Sequence, residues 1–160
     1  MRKIGIVLFG VIFLSACKPN NMSNRDTVYA FRLKPGEDLQ KGIEKVISQN
    51  AIKAGWINTC VGSLTDYNIR FANQPTTDSG TGHFEIVSLV GTLSLNGSHI
   101  HLSISDSMGK TIGGHLMPGC KVYTTAEIVI TASDQFDFER AEDGTTPWKE
   151  LQIRKVKSEK

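Results

Sequence analysis

The close succession of β-forming segments between His83 and Thr131 constrains the fold of this chain more than any other feature. The first of these segments ends at Asn96-Gly97, a dipeptide that strongly favours a two-residue hairpin. The segments that follow alternate polar and apolar side chains, as half-buried strands do. The sequence therefore predicts a β-rich fold with strands at His83–Leu95, Ser98–Asp106, Lys110–Met117 and Lys121–Thr131.

One helical segment precedes these strands. Apolar residues from Leu39 to Ile47 recur at helical spacing, and a carboxylate at Glu37 or Asp38 can begin a helix that we expect to continue to about Lys53. The other predicted elements are a strand at Thr27–Leu33, two strands at Trp56–Leu64 and Tyr67–Phe71 around a Thr65-Asp66 turn, a loop over 73–82, and a last β pair at Phe136–Arg140 and Leu151–Val156. One helix among many antiparallel strands indicates a single α+β domain in a chain of 160 residues.

The first seventeen residues resemble the signal of a bacterial lipoprotein. Arg2 and Lys3 precede an apolar run, Ile4 to Leu14, that has the length expected of an export signal. The run ends in Leu14-Ser15-Ala16-Cys17, which resembles a lipobox. This resemblance implies cleavage before Cys17, lipidation of its thiol and a periplasm-facing protein anchored in the cell envelope. In enteric-type bacteria the following Lys18 would resemble outer-membrane sorting. The alternative is an uncleaved N-terminal anchor helix.

These features divide the chain into a signal peptide (1–16), a lipidated polar tether (17–26), a folded domain (27–140) and a C-terminal extension (141–160). The 18 Lys and Arg residues include Arg2 and Lys3, so cleavage leaves 16 against 16 Asp and Glu. A mature chain near neutrality has no large electrostatic attraction to nucleic acid. We therefore expect no nucleic-acid partner.

Three of the four histidines, His99, His101 and His115, fall within seventeen residues. Strand alternation puts His99 and His101 on the polar face of one strand. The loop Ser107-Met108-Gly109 fits a three-residue hairpin that ends in a left-handed glycine. That loop pairs Ile104 with Ile112, and the same register pairs His101 with His115. Directly opposed side chains have Cβ atoms about 5 Å apart, so the three imidazoles are predicted to converge.

Three neutral imidazoles suit zinc, and with less selectivity copper, nickel or iron. They leave a fourth coordination position for water or a small-molecule ligand. A water bound there can become hydroxide near neutral pH, which would permit hydrolase or lyase chemistry. Glu127 is a candidate to orient a metal-bound histidine or water, or to act as a base. The alternatives are three exposed histidines without a metal and a structural Glu127 carboxylate.

Several stretches together resemble the PPC domain, the plants and prokaryotes conserved family. They span roughly Thr27 to Phe138 and include Gly82-His83-Phe84-Glu85-Ile86-Val87-Ser88-Leu89, His99-Ile100-His101-Leu102-Ser103-Ile104-Ser105-Asp106, Ile112-Gly113-Gly114-His115-Leu116 and Thr125-Ala126-Glu127-Ile128. The resemblance implies a mixed or antiparallel sheet sandwich, a homotrimer, and a metal site at His99, His101 and His115. Plant members are DNA-binding proteins with AT-hook motifs, but this sequence has no Arg-Gly-Arg-Pro core.

Three functions follow from these observations. The leading one is a lipid-anchored, metal-binding protein of the envelope, with zinc as the expected metal and no assigned reaction. The second is a metal-dependent hydrolase or lyase that acts on a small molecule. The third, by family analogy, is a DNA-associated protein. The two remaining cysteines, Cys60 and Cys120, could form a disulfide or remain buried thiols.

Overall fold

A six-stranded antiparallel sheet and a separate two-stranded hairpin make up the β-structure of residues 26–157, the part of the chain that the computed structural model describes. Cys17 and the segment around it lie outside these residues. The elements are β1 (Thr27–Leu33), α1 (Leu39–Gln49), β2 (Gly55–Arg70), β3 (Asp78–Leu93), β4 (His99–Ser105), β5 (Thr111–Leu116), β6 (Lys121–Ala132), β7 (Phe136–Ala141) and β8 (Glu150–Lys155).

The sheet has the strand order β1-β6-β2-β3-β4-β5, and the end of β2 also pairs with β5. This extra pairing joins Ile69 to Leu116 and Arg70 to His115, so the four strands β2 to β5 close into a ring. The main core consists of aliphatic side chains from the sheet and helix that have almost no solvent exposure, including Leu39, Ile43, Leu64, Leu93, Ile104, Ile128 and Ile130. The predicted α+β class is confirmed, with every strand pair antiparallel.

The prediction of two strands around a Thr65-Asp66 turn is wrong, because β2 runs unbroken through both residues. The register of β2 against both neighbouring strands shifts between Leu64 and Asp66, which marks a bulge. The Asp66 carboxylate accepts hydrogen bonds from the hydroxyls of Thr65 (2.6 Å) and Thr81 (3.0 Å). These polar residues therefore bend a strand instead of ending it.

The predicted loop over 73–82 is shorter than expected, since β3 already begins at Asp78. Tyr67 on β2 holds this early part of β3, because its hydroxyl donates to Asp78 at 2.9 Å. Its ring covers Gly80, where an added Cβ would lie only 2.7 Å from a ring carbon. A glycine in this strand thus reflects close packing under an aromatic ring and not a loop.

Helix α1 begins where the sequence predicts but ends before Lys53. Asp38 is the N-cap, and its side chain accepts from the Lys41 amide. At the other end the Asn50 side chain donates to the Val46 carbonyl, and Ala51 takes a positive φ of 50°. The chain turns out of the helix here, and the next residue, Ile52, is buried in the core.

The predicted hairpin between β4 and β5 is confirmed in its register. His101 lies opposite His115, and Ile104 lies opposite Ile112. The loop closes with a hydrogen bond from the Asp106 amide to the Lys110 carbonyl at 3.0 Å, and Gly109 adopts a φ of +79°. Turn chemistry therefore sets which residues face one another across this hairpin.

Strands β7 and β8 confirm the predicted last β pair. They form an antiparallel hairpin from Phe136 to Lys155, so the domain boundary drawn after residue 140 falls inside β7. Asn96, in the turn between β3 and β4, holds β7: its side chain donates to the Arg140 carbonyl at 3.2 Å and accepts from the Arg140 amide at 3.0 Å. Within residues 26–157 the helix is too short to cross a membrane.

Candidate metal centre

The three predicted histidines meet at one side of the β4–β5 hairpin. His99 and His101 are exposed and alternate with the buried Ile100 and Leu102, which confirms that they occupy the polar face of β4. His115 is partly buried and lies at the end of β5. The register of the hairpin brings all three rings onto one face, as the alternation predicts.

The imidazole nitrogens are close enough to share one ion. One ligand nitrogen from each ring can be chosen so that all three lie within 4.8 Å of one another. His99 Nε2 and His115 Nδ1 are 3.0 Å apart, and the ring centroids are separated by 4.8 to 5.0 Å. Tetrahedral zinc with Zn–N bonds of 2.0–2.1 Å requires ligand nitrogens about 3.3 Å apart. The 3.0 Å separation is slightly shorter than this value and the 4.8 Å upper bound is longer, so the three nitrogens lie at a spacing that suits one shared ion.

The backbone of β2 packs closely against β5 beside His115 and so fixes the position of this residue. An added Cβ on Gly114 would lie 2.6 Å from the Arg70 carbonyl oxygen, because β2 crosses directly over this residue. Arg70 is the strand partner of His115 through the same crossing. The glycine at position 114 is therefore what allows the backbone of β2 to pass beside His115.

The environment favours the neutral form of two of the imidazoles. Burial lowers the pKa of His99 below the usual 6.5, and the positive charge of Arg140 lowers it further, against an opposing effect of Glu150. Burial also lowers the pKa of His115, followed by the charge of Arg70. Neutral imidazole is the form that binds a metal, so at pH 7 these side chains do not need to lose a proton first.

A cavity of about 760 Å³ opens beside His99 and His115. The charged residues that line it are Arg70, Arg140, Lys149 and Glu150. The sequence gives no sign that these residues belong to the site, because they lie on β2 and on the C-terminal hairpin, far from the histidines along the chain. The pairing of β2 with β5 and the docking of β7 on the Asn96 turn bring them together.

Glu127 is not brought to the histidines. It lies on β6 opposite Arg32 of β1 and Val61 of β2, and β2 and β3 separate it from the histidines of β4. Its carboxylate accepts from the Thr125 hydroxyl at 3.4 Å, and no hydrogen bond within residues 26–157 joins it to a histidine. The expected role at the metal is therefore not supported by contacts within this chain.

The fourth histidine, His83, and the cysteines Cys60 and Cys120 also lie apart from the centre. The ring of His83 packs on Tyr123 with centroids 4.3 Å apart, consistent with a surface or interface histidine. Cys60 and Cys120 are both buried free thiols. Burial raises the pKa of Cys60 to about 12 and that of Cys120 to about 11, so neither is a thiolate ligand near neutral pH.

The chain matches a known family model and several solved structures. Residues 21–134 match the Plants and Prokaryotes Conserved (PCC) domain. The chain resembles the solved structure of a hypothetical protein from Salmonella cholerae-suis with a TM-score of 0.80 and 43% identity, over 83% of this chain and 96% of that one. It resembles a metal-containing protein from Archaeoglobus fulgidus with a TM-score of 0.70 and 25% identity, over 79% and 93% of the two chains.

A curated relative is much longer than this chain. The bifunctional protein GlmU of Synechococcus sp. strain JA-3-3Ab is 43% identical over 129 residues. The matched region covers 81% of this chain but only 21% of that protein. The chain thus spans about a fifth of the length of this relative.

Proposed function

Because the chain belongs to the Plants and Prokaryotes Conserved domain family, we propose that it is a metal-binding protein whose ligands are His99, His101 and His115. The convergence of their three imidazoles carries the proposal. The metal is a divalent transition ion, and zinc suits the three-nitrogen set best. The name of the A. fulgidus relative, a metal-containing protein, adds support.

Metal content of the purified protein tests the proposal. We expect about one zinc ion per chain in the wild type by inductively coupled plasma mass spectrometry, and little in His101→Gln. His83→Gln is the matched control, because His83 packs on Tyr123 away from the cluster. His101 is exposed, so its replacement should leave the fold intact, which circular dichroism can verify. Equal and negligible metal in all three proteins would exclude the site.

The chain is further proposed to assemble as a homotrimer, as the PPC resemblance implies. Apolar side chains on the outer side of the sheet support association, since Val28, Val61 and Val87 are about 60% exposed (63%, 64% and 59%). Exposed apolar side chains on several strands of one sheet are typical of an interaction surface. Tyr123, which packs on His83, adds an exposed aromatic ring to β6.

Native mass spectrometry tests the assembly. We expect a trimer for the wild type and monomers for Val61→Asp, because a carboxylate would be desolvated at the interface. Met108→Asp is the control, since Met108 is 88% exposed at the tip of the β4–β5 hairpin. A monomeric wild type would contradict the proposal without affecting the metal site.

Lipid anchoring in the cell envelope is proposed on the lipobox-like segment that ends at Cys17. Metabolic labelling with a radioactive fatty acid should mark the wild type and not Cys17→Ser. The variant should appear in the soluble fraction of the periplasm or remain unprocessed. A Cys17→Ser protein that kept both the label and the membrane attachment would refute it.

Metal-dependent hydrolase or lyase activity is the second candidate, favoured by the cavity that opens at the histidines. A metal held by three side chains keeps a position for water or substrate. Turnover that is lost on chelation and absent in His101→Gln would support catalysis. A panel of esters, phosphates and carboxylic acids without metal-dependent turnover would favour binding alone.

A further inference from the structure

We propose that the cavity beside the histidines binds a small oxyanion, a carboxylate or a phosphate, between Arg70 and Arg140, and that the C-terminal hairpin builds this site. The inference rests on the proposed metal site, because two of its three proposed ligands, His99 and His115, line the same cavity. The cavity has a volume of about 760 Å³ and is lined by His99, His115 and both arginines.

Arg140 is held rigidly but has unused hydrogen-bonding capacity. Its backbone carbonyl and amide both hydrogen-bond to the Asn96 side chain, and its guanidinium donates to the Thr92 hydroxyl. Its Nε lies buried without a hydrogen-bond partner among the described residues. A buried unpaired N–H destabilises a protein unless a bound group satisfies it. In this proposal, the oxyanion bound beside Arg140 provides that acceptor.

Arg70 lines the cavity from β2, whereas Arg140 lines it from β7. It is the strand partner of His115 at the end of β2, and its guanidinium carbon lies 5.4 Å from the centre of the Trp148 ring. Its hydrogen bond within residues 26–157 is a long one, 3.5 Å to the Gln74 carbonyl. A guanidinium has five N–H donors in a planar fork, which matches the geometry of carboxylate and phosphate. Most donors of Arg70 are therefore available to a ligand.

The charge of the cavity favours an anion. Arg70, Arg140 and Lys149 line it against a single carboxylate, Glu150. The Glu150 carboxylate is itself engaged by the Thr146 hydroxyl at 2.6 Å. A dipositive metal on three neutral imidazoles would add to the positive charge. A negatively charged ligand offsets this charge.

The C-terminal hairpin contributes cavity residues that lie outside the region matched to the family. The match to the family ends at residue 134, whereas Arg140, Trp148, Lys149 and Glu150 all come from residues 136–155. The metal ligands and Arg70 lie within the matched region. In this proposal the hairpin therefore supplies one of the two arginines, and β2 supplies the other.

Isothermal titration of the full-length, zinc-loaded protein tests the proposal with two probes, succinate and phenyl phosphate. Succinamide is the uncharged isostere. We expect saturable binding of at least one oxyanion and none of succinamide. Preference between the two probes separates a carboxylate site from a phosphate site. Absence of saturable binding for both oxyanions, or equal binding of succinamide, would overturn the proposal.

Variants of the arginines identify the groups responsible. Arg70→Gln and Arg140→Gln should each weaken oxyanion binding by about tenfold or more, with zinc content unchanged. Arg140→Lys, which keeps the charge but loses the fork, should fall between. Arg154→Gln is the control on the same hairpin, because Arg154 pairs with Glu139 and does not line this cavity. If Arg70→Gln, Arg140→Gln and the control all bind the oxyanion with equal affinity, the oxyanion does not bind between these two arginines.

Failure of the metal site and failure of the anion site remain distinguishable. If the wild type binds no zinc, the metal proposal fails, and the same titrations on the metal-free protein still test the arginines. Oxyanion binding that is lost in Arg140→Gln but present without zinc would support the anion site alone. Zinc binding without oxyanion binding would refute the anion site alone.

Discussion

At the scale of single residues, the site combines neutral imidazoles with permanent cations. Burial, and after it the charges of Arg140 and Arg70, lowers the pKa values of His99 and His115, which favours their unprotonated form. The same charges repel a bare metal ion. An anionic ligand on the metal would relieve that repulsion, so metal affinity and anion affinity should reinforce each other.

The lowered histidine pKa values predict how the stability of the metal-free protein depends on pH. In the unfolded chain both imidazoles regain a pKa near 6.5 and bind more protons than in the folded chain. Their contribution is therefore fully present above pH 6.5 and is lost as the pH falls toward their lowered folded-state values. Urea denaturation at pH 7.5 and 5.5 should show this loss in the wild type.

The double variant His99→Gln/His115→Gln isolates the effect. It should retain more of its stability between pH 7.5 and 5.5 than the wild type does, because the two titrating groups are gone. An identical pH dependence in both proteins would show that the histidines titrate alike in the folded and unfolded chains.

The buried cysteines predict low thiol reactivity. With pKa values raised to about 12 and about 11, Cys60 and Cys120 are protonated at pH 8. In a Cys17→Ser protein, iodoacetamide should modify neither thiol in the native state and both in 6 M guanidinium, on the order of the denaturant concentration that unfolds most domains. Mass spectrometry counts the adducts. Rapid native labelling would contradict the burial.

At the scale of elements, two contacts position the site. Asp38 begins α1 and also ties it to the β5–β6 connection, since its carboxylate accepts from the amides of Lys41 (3.1 Å) and Gly119 (2.7 Å). The crossing of β2 over Gly114 closes the strand ring and brings Arg70 to His115. Each contact meets a backbone group of another segment and requires one residue type: a side-chain acceptor at Asp38 and the absence of a Cβ at Gly114.

Replacement of Asp38 should therefore affect stability strongly. Asp38→Ala removes the helix cap and leaves the Gly119 amide without its acceptor. We expect the free energy of unfolding to fall by about 2 kcal/mol or more. Asp38→Asn keeps an oxygen acceptor and should lose less. Equilibrium urea denaturation gives both values, and equal losses in the two variants would argue that charge dominates.

Gly114 should be the glycine on which the metal site depends most. A Cβ at this position would lie 2.6 Å from the Arg70 carbonyl oxygen, so Gly114→Ala must push β2 and β5 apart. We expect a loss of about 1–3 kcal/mol in stability, together with reduced zinc content. Ser107→Ala, in the exposed loop of the same hairpin, is the control. Normal zinc content and stability in Gly114→Ala would show that the crossing is dispensable.

At the scale of the whole molecule, the proposed metal site lies where the sheet and the C-terminal hairpin meet. Its ligands lie on β4 and β5, while the cavity beside it is completed by β2 and the C-terminal hairpin. A ligand bound only by the folded chain stabilises it by mass action. Occupancy of the site should therefore be visible in global unfolding.

Zinc should raise the thermal stability of the wild type. At a free zinc concentration about 100 times the dissociation constant, the stabilisation is about 2.7 kcal/mol. Differential scanning calorimetry before and after chelation should show a lower Tm for the metal-free protein, restored by added zinc. His101→Gln should show no such response. A wild-type Tm insensitive to chelation would contradict a native-state metal site.

The sequence by itself determined the local features. Alternation and turn chemistry predicted β4, β5, their register and the meeting of three histidines, because a short loop leaves only one register that keeps both isoleucines on the core face. The carboxylates at Glu37 and Asp38 likewise indicated the start of α1, because a capping preference acts within one turn, and Asp38 is the N-cap.

Only the tertiary structure decided what surrounds the histidines. Local patterns could not show that β2 passes unbroken through Thr65-Asp66, closes on β5 and delivers Arg70 to His115. Nor could they show that the hairpin of β7 and β8 carries Arg140 to the same cavity or that Glu127 lies away from it. Contacts between distant segments depend on how the whole sheet curves and packs. A short window of residues cannot show them, because burial and hydrogen bonding are balanced over the whole fold.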